Sequence, residues 1–257
     1  MERLLAPVWG TCTAASKDNH NVYKFKALAL HIIKKIAIFV LISVICMDIG
    51  QVQPALRDYV EREIIPRYAF FDQAHREDHV RTVIGQSLSL AAHYNVDANL
   101  VYVAAACHDL GLAVDRRTHH LESGKWVRAE AALRTFFTPE QIETIAQAVE
   151  DHRASSDHDP RSLYGRILAE ADRVIDPETI VRRTVQYGMD HYPQLDEEGH
   201  WRRTLDHLLE KYAEGGYLKL YIPESPNAAR LAELRDLIRD RGRLKAVFKK
   251  IFRELSQ

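Results

Sequence analysis

The sequence predicts an all-α protein. From Gln53 onward apolar residues recur at three- and four-residue intervals, no alternating run reaches convincing strand length, and helix-start signals punctuate the chain. Asp72 is placed to cap a helix running to about Tyr94, with Val80, Val83, Ile84, Leu88 and Ala91 as its inner stripe. Asp97 caps the next, over 100–108, which is apolar nearly all round and so belongs at the centre of a bundle. Thr138, Pro139, Glu140 and Gln141 form a capping box with proline at the first helical position, opening a helix through Ile142, Ile145 and Val149 to His152. A further helix is expected over 163–175. Asp176 and Pro177 open another, Gly215 and Gly216 stop one that begins near Trp201, and Ser225 and Pro226 open the last. A short β-like stretch over 217–222 links these two. No internal repeat or low-complexity linker follows residue 47, so one helical domain over 47–257 is the economical reading.

Composition sets the outer limits. With 257 residues, 46% of them hydrophobic and 28% charged, the chain can bury a substantial core, which excludes disorder throughout. Thirty-five basic residues against 36 acidic ones leave a formal charge of -1, so no global field draws the protein to nucleic acid or anionic lipid. Cys12, Cys46 and Cys107 form no close pair and suit a reducing, cytoplasmic compartment.

Residues 1–46 differ from the rest. They combine Lys24, Lys26, Lys34 and Lys35 with an apolar run over 36–47 of about a dozen residues, where a membrane span needs roughly 20. A secretory signal fits poorly, because the charged region is long and no small-x-small site follows. Ile45 before Cys46 argues against lipoprotein processing. The favoured reading takes Met47 as the true first residue; a membrane-proximal anchor over 27–47 and an ordinary N-terminal helix are the alternatives. Each leaves 1–46 outside the core.

Chemistry is expected where histidines meet apolar stripes. The dipeptide His108-Asp109 ends the most buried helix, and a carboxylate there requires a partner. His79 shares a face with Val83, His152 continues the stripe of Ile145 and Val149, and Asp172 lies between Leu168 and Ile175. Of the neighbouring pair His119 and His120, the reading favours His120. Inward-facing imidazoles and carboxylates from separate helices are costly unless a cation satisfies them together. The expected metal set is His79, His108, Asp109, His120, His152 and Asp172. This donor mixture suits one or two divalent transition ions (manganese, iron, cobalt, nickel or zinc), with Asp109 bridging if there are two.

The ordered pieces DHVRTV around His79, AAACHDLG around His108 and Asp109, and AEADRVID around Asp172 resemble the HD superfamily of metal-dependent phosphohydrolases. His120 in THHLESG and His152 in VEDHRASS match members of that family that hold two metals. The resemblance spans roughly 71–176. It implies an all-helical fold with metal at its heart and hydrolysis of a phosphate ester or anhydride, with a nucleotide as the expected small-molecule partner. The chain lacks the GYP extension of the cyclic-dinucleotide enzymes and the synthetase domain of the alarmone enzymes, so neither fixes its substrate.

Within that reading Asp109 is catalytic, and Arg76, Lys125, Arg153 and Arg173 are candidates to hold phosphate. Glu150 and Asp151 are candidates for a proton relay or for orienting His152. His75 is read as a polar helix-start residue. Two other functions stay open, a di-iron oxygenase using the same ligand types and a nucleotide sensor without turnover. The basic residues of the C-terminal tail and the aromatic group Tyr187, Tyr192, Trp201, Tyr212, Tyr217 and Tyr221 are expected to serve helix packing. No specific nucleic-acid binding or aromatic base clamp is expected.

Overall fold

The computed structural model describes residues 50–71 and 76–256. The readings for residues 1–46, the run over 36–47, Asp72 and His75 therefore lie outside the described residues. Among the described residues there is no strand, and no helix is long and apolar enough to cross a membrane.

A short helix α1 (Pro54–Tyr59) continues through a π-helical turn (Val60–Ile64) and a 3-10 stretch (Ile65–Phe70). Then follow α2 (Glu77–Ala91), α3 (Ala98–Cys107), α4 (His119–Ala129), α5 (Pro139–Glu150) and α6 (Leu163–Asp172). The remainder comprises α7 (Pro177–His191), α8 (Glu197–Tyr212), α9 (Asn227–Arg239) and α10 (Arg241–Leu255). Apolar side chains fall into two clusters. One is built by α1 to α6, the other by Ile175 and α7 to α10.

Helix α3 is the axle of the first cluster, as its uniform apolarity requires. Every residue from Leu100 to Cys107 is buried, and α3 packs against α2, α5, α6 and the Val60–Ile64 turn. Burying each such aliphatic side chain contributes about 1.5–3 kcal/mol, so the centre of the fold holds the chain immediately before His108 firmly. The Asp97 carboxylate accepts from the Asn99 N–H at its start.

Several helix boundaries differ from the sequence reading, each for a local reason. Helix α2 begins at Glu77 with Arg76 as its N-cap, five residues beyond Asp72, and ends at Ala91. Helix α6 stops at Asp172 because Arg173 adopts φ -80°, ψ 75°, so Ile175 lies beyond it, in the second cluster. Helix α8 begins at Glu197, capped by Asp196, one turn before Trp201. The tail forms two helices rather than one, since Asp240 breaks the first and caps the second by accepting from the Arg243 N–H. The expected β-like stretch over 217–222 pairs with no strand; the Tyr221 N–H instead donates to Glu170 at 2.8 Å. Gly215 takes φ +82° at the turn that releases α8, a conformation natural to glycine.

The tail's cations meet acids of neighbouring helices: Lys245 reaches Glu198 at 2.9 Å and Lys250 reaches Glu178 at 2.9 Å. That is the behaviour of an amphipathic packing surface.

The capping box of α5 is complete, with Thr138 accepting from the Gln141 N–H and Gln141 returning to the Thr138 N–H. Thr138→Ala is expected to cost about 1 kcal/mol, read as a lower urea midpoint with an unchanged m-value.

Candidate metal centre

Four helices and one helix-to-loop junction bring their polar ends together. His108 is the C-cap of α3, and Asp109 follows in a non-helical conformation. Both are buried, at 0% and 3% exposure. His79 comes from the first turn of α2, His119 from the first residue of α4, His152 from just past α5, and Asp172 from the last residue of α6.

Asp109 divides the cluster into two groups. Its Oδ2 lies 3.2 Å from His108 Nε2 and 3.6 Å from His79 Nε2, while Asp172 Oδ1 is 3.2 Å from His79 Nε2. Its Oδ1 lies 3.4 Å from His119 Nε2 and 3.7 Å from His152 Nε2. The histidines face one another nitrogen to nitrogen: His79 and His108 approach to 3.3 Å, His119 and His152 to 3.2 Å.

The tautomers follow from the backbone. His108 Nδ1 is 2.8 Å from the Ala105 carbonyl, His119 Nδ1 is 2.8 Å from that of Arg116, and His152 Nδ1 is 2.6 Å from that of Val149. A carbonyl only accepts, so each Nδ1 carries the donated proton and each Nε2 turns toward the cluster. Nitrogens facing each other at this range cannot both carry protons. Metal bonds of about 2.0–2.2 Å place adjacent ligand atoms about 3 Å apart, which is the spacing found. His79, His108 and Asp109, joined by Asp172, and Asp109, His119 and His152 thus fit a divalent ion.

The local electrostatics point the same way. Burial acts to lower the His108 pKa, yet the charges of Asp109 and Asp172 outweigh it and push it up to about 9. Burial, aided by His108, lowers His152 to about 4, and burial likewise lowers His119. Burial acts to raise the Asp172 carboxyl, but its hydrogen bond to His79 and the nearby imidazoles hold it well below the usual carboxylate range. The two aspartates draw positive charge toward the site.

His119, not the expected His120, faces Asp109. The bond from His119 to the Arg116 carbonyl locks it, while the next residue points about 100° round the helix into a separate cavity beside Leu121, Glu150 and Arg153. Gly111 makes this possible: a Cβ there would meet the His119 carbonyl oxygen at 2.1 Å. The Gly111 N–H also donates to Ser123 Oγ at 2.8 Å, pinning the start of α4 beside Asp109.

Glu150 and Asp151 do not form the expected relay. Glu150 pairs with Arg128 and, at 2.7 Å, with Arg161; buried Asp151 accepts from the Arg161 N–H and guanidinium at 2.7 and 2.9 Å. Their negative charge is taken up in anchoring the loop after His152. Of the four cations expected to hold phosphate, Arg153 lines the cavity beside the cluster, with its Nη1 donating to the Arg117 carbonyl. Lys125 is exposed and paired with Glu122 at 2.8 Å. Arg76 is exposed at the start of α2, outside the lining of that cavity. Arg173 is buried in an adjoining cavity.

The cavity beside the cluster has a volume of about 320 Å³ and reaches His79, Asp109, His119, His152 and Asp172. Arg183 of α7, Lys211 of α8 and Tyr217 complete its wall. No motif singled out Arg183 or Lys211, since both sit in ordinary amphipathic helices; only the fold of the second cluster over the first brings them there.

Comparison with protein families matches residues 76–175 to the HD domain. That segment, 100 of the 257 residues, is similar to an HD domain. The matched segment runs from the residue before α2 to Ile175, two residues before α7, and holds all six residues of the cluster. HD domains form a superfamily of metal-dependent hydrolases. No curated protein and no solved structure matches the chain.

His119→Ala is expected to weaken metal affinity by about tenfold or more, whereas His120→Ala leaves it unchanged; metal titration of both variants checks the assignment. The Arg128 network predicts a pH effect. The Arg128 hydrogen bond outweighs desolvation and holds Glu143 at about 2, below its ordinary 4.5, so this stabilisation is complete above pH 4.5 and is lost as pH falls toward 2. The Tm advantage of wild type over Glu143→Gln should shrink across that interval, and it should be modest because Glu143 is 45% exposed.

Proposed function

We propose that this protein is a metal-dependent phosphohydrolase that cleaves a phosphate ester or anhydride of a nucleotide, using two divalent ions bridged by Asp109. The observation that carries the reading is the shared carboxylate: its two oxygens each face a separate pair of histidines, at the floor of a cavity lined by Arg153, Arg183 and Lys211. When bound, divalent ions supply Lewis-acid polarisation of phosphoryl oxygens and make water acidic enough to attack phosphorus near neutral pH.

The chain's own residues do the remainder. Asp109 holds the two halves of the site at a fixed separation, and the Nδ1 bonds to backbone carbonyls keep His108, His119 and His152 from rotating. Arg153, Arg183 and Lys211 are positioned to take the non-bridging oxygens of a phosphoryl group entering from the open side. Their charge favours the more anionic transferring group and orients it for in-line attack. Tyr187 and Tyr192 lie at the adjoining cavity, with His191 stacked on Tyr187 and the Arg203 guanidinium over both rings.

The test is metal analysis of the purified protein, followed by phosphate release from a panel of nucleotides, cyclic nucleotides and sugar phosphates. Asp109→Asn is expected to lower turnover by about a hundredfold or more with helical content retained. Full activity in that variant would overturn the mechanism. Oxygen uptake by iron-loaded protein without phosphate release would replace it with the oxygenase reading.

A further inference from the structure

A second cavity, of about 570 Å³, adjoins the one above the cluster; the two share Ala154, Asp172, Arg183 and Lys211 in their walls. It lies between the end of α6 and helices α7 and α8. Its lining is strongly basic in a chain whose formal charge is only -1. Arg173, Arg183, Arg203 and Lys211 all line it, and among the described lining residues Asp172 is the one carboxylate, already drawn into the histidine cluster.

Two of these arginines are held in ways a solvated surface does not require. Arg173 is 7% exposed, stacked 5.0 Å over the ring of Tyr221, and its Nε and Nη1 are buried without a hydrogen-bond partner. Leaving charged donors unsatisfied in this way is costly and rare. The Arg203 guanidinium lies 5.0 Å from the ring centroids of both Tyr187 and Tyr192, and its Nη1 donates to the Thr184 carbonyl at 3.1 Å. A guanidinium has five donors, so this fixed orientation leaves others to offer. Lys211 stands on the wall common to both cavities.

We propose that this second cavity binds a further phosphoryl group of the substrate, one that is not cleaved, so that the protein acts on small molecules carrying two separated phosphates. The assignment rests on the phosphohydrolase reading for the first phosphate and adds the chemistry of the second. A dianion seated among these side chains offsets the mutual repulsion of the cations. It also anchors the substrate at a point remote from the reacting phosphorus, which converts binding into orientation.

The test uses non-hydrolysable probes on the metal-loaded full chain: butylphosphonate against butane-1,4-bisphosphonate, with affinity measured by calorimetry. Wild type is expected to bind the bisphosphonate at least about tenfold more tightly. Arg173→Met, which keeps the side-chain length and removes the unsatisfied charge, is expected to abolish that preference. Arg203→Gln, at a residue that lines the second cavity and not the first, is expected to reduce it and carries the test should Arg173→Met not fold. Equal wild-type affinity for the two probes, or an undiminished preference in both folded variants, would overturn the second-phosphate site while leaving the phosphohydrolase reading intact. Binding of neither probe by metal-loaded protein would instead count against that underlying reading.

Discussion

The constraint on which the rest of this structure depends is the burial of Asp109. A carboxylate at 3% exposure, set at the end of the most apolar helix in the fold, needs positive charge close by. The protein sets imidazoles, oriented by the backbone, around it. Each Nδ1 that donates to a carbonyl turns an Nε2 inward, so main-chain hydrogen bonds dictate the donor set that faces the carboxylate. Five of the six residues sit at or just beyond helix ends, and the sixth in a first turn, where backbone groups lack intrahelical partners.

The remainder of the first helical cluster keeps those ends in register. Helix α3 fixes His108 and Asp109 because it is packed on all sides, and Gly111 lets α4 begin close enough for His119 to reach the same carboxylate. Behind His152, Glu150 and Asp151 are tied to Arg128 and Arg161, so the loop that leaves α5 is held by charge. Acids that adjoin a reactive histidine in sequence thus stabilise its surroundings instead of taking part beside it. The second cluster contributes the other half of the site. Helices α7 and α8 bring Arg183 and Lys211 to a cavity whose floor is supplied by α2 to α6 and the residues that follow them.

Much of this was legible in the order of residues. The helical class, the central place of α3, the capping box at Thr138 and the caps at Asp97 and Asp176 are local or periodic properties, and local chemistry decides them. His79, His108, Asp109 and His152 were readable for the same reason, since each continues or terminates an apolar stripe. Asp172 was found on a stripe extended to Ile175, although the helix ends at Asp172 itself. Helix ends were less legible: only backbone dihedrals at Arg173 and Asp240 reveal where α6 and α9 stop.

By itself the sequence determined which residue types would be driven inward, because a buried face repeats every three or four positions whatever surrounds the helix. Tertiary structure alone decided between His119 and His120, which differ by one step of helix phase and become distinct only when Gly111 brings a neighbouring backbone against α4. It alone also decided that Glu150 and Asp151 face arginines and that Arg183 and Lys211 face the cluster. A side chain's partner is set by the element packed against it, and proximity across a fold is a property of the closed chain rather than of any segment within it.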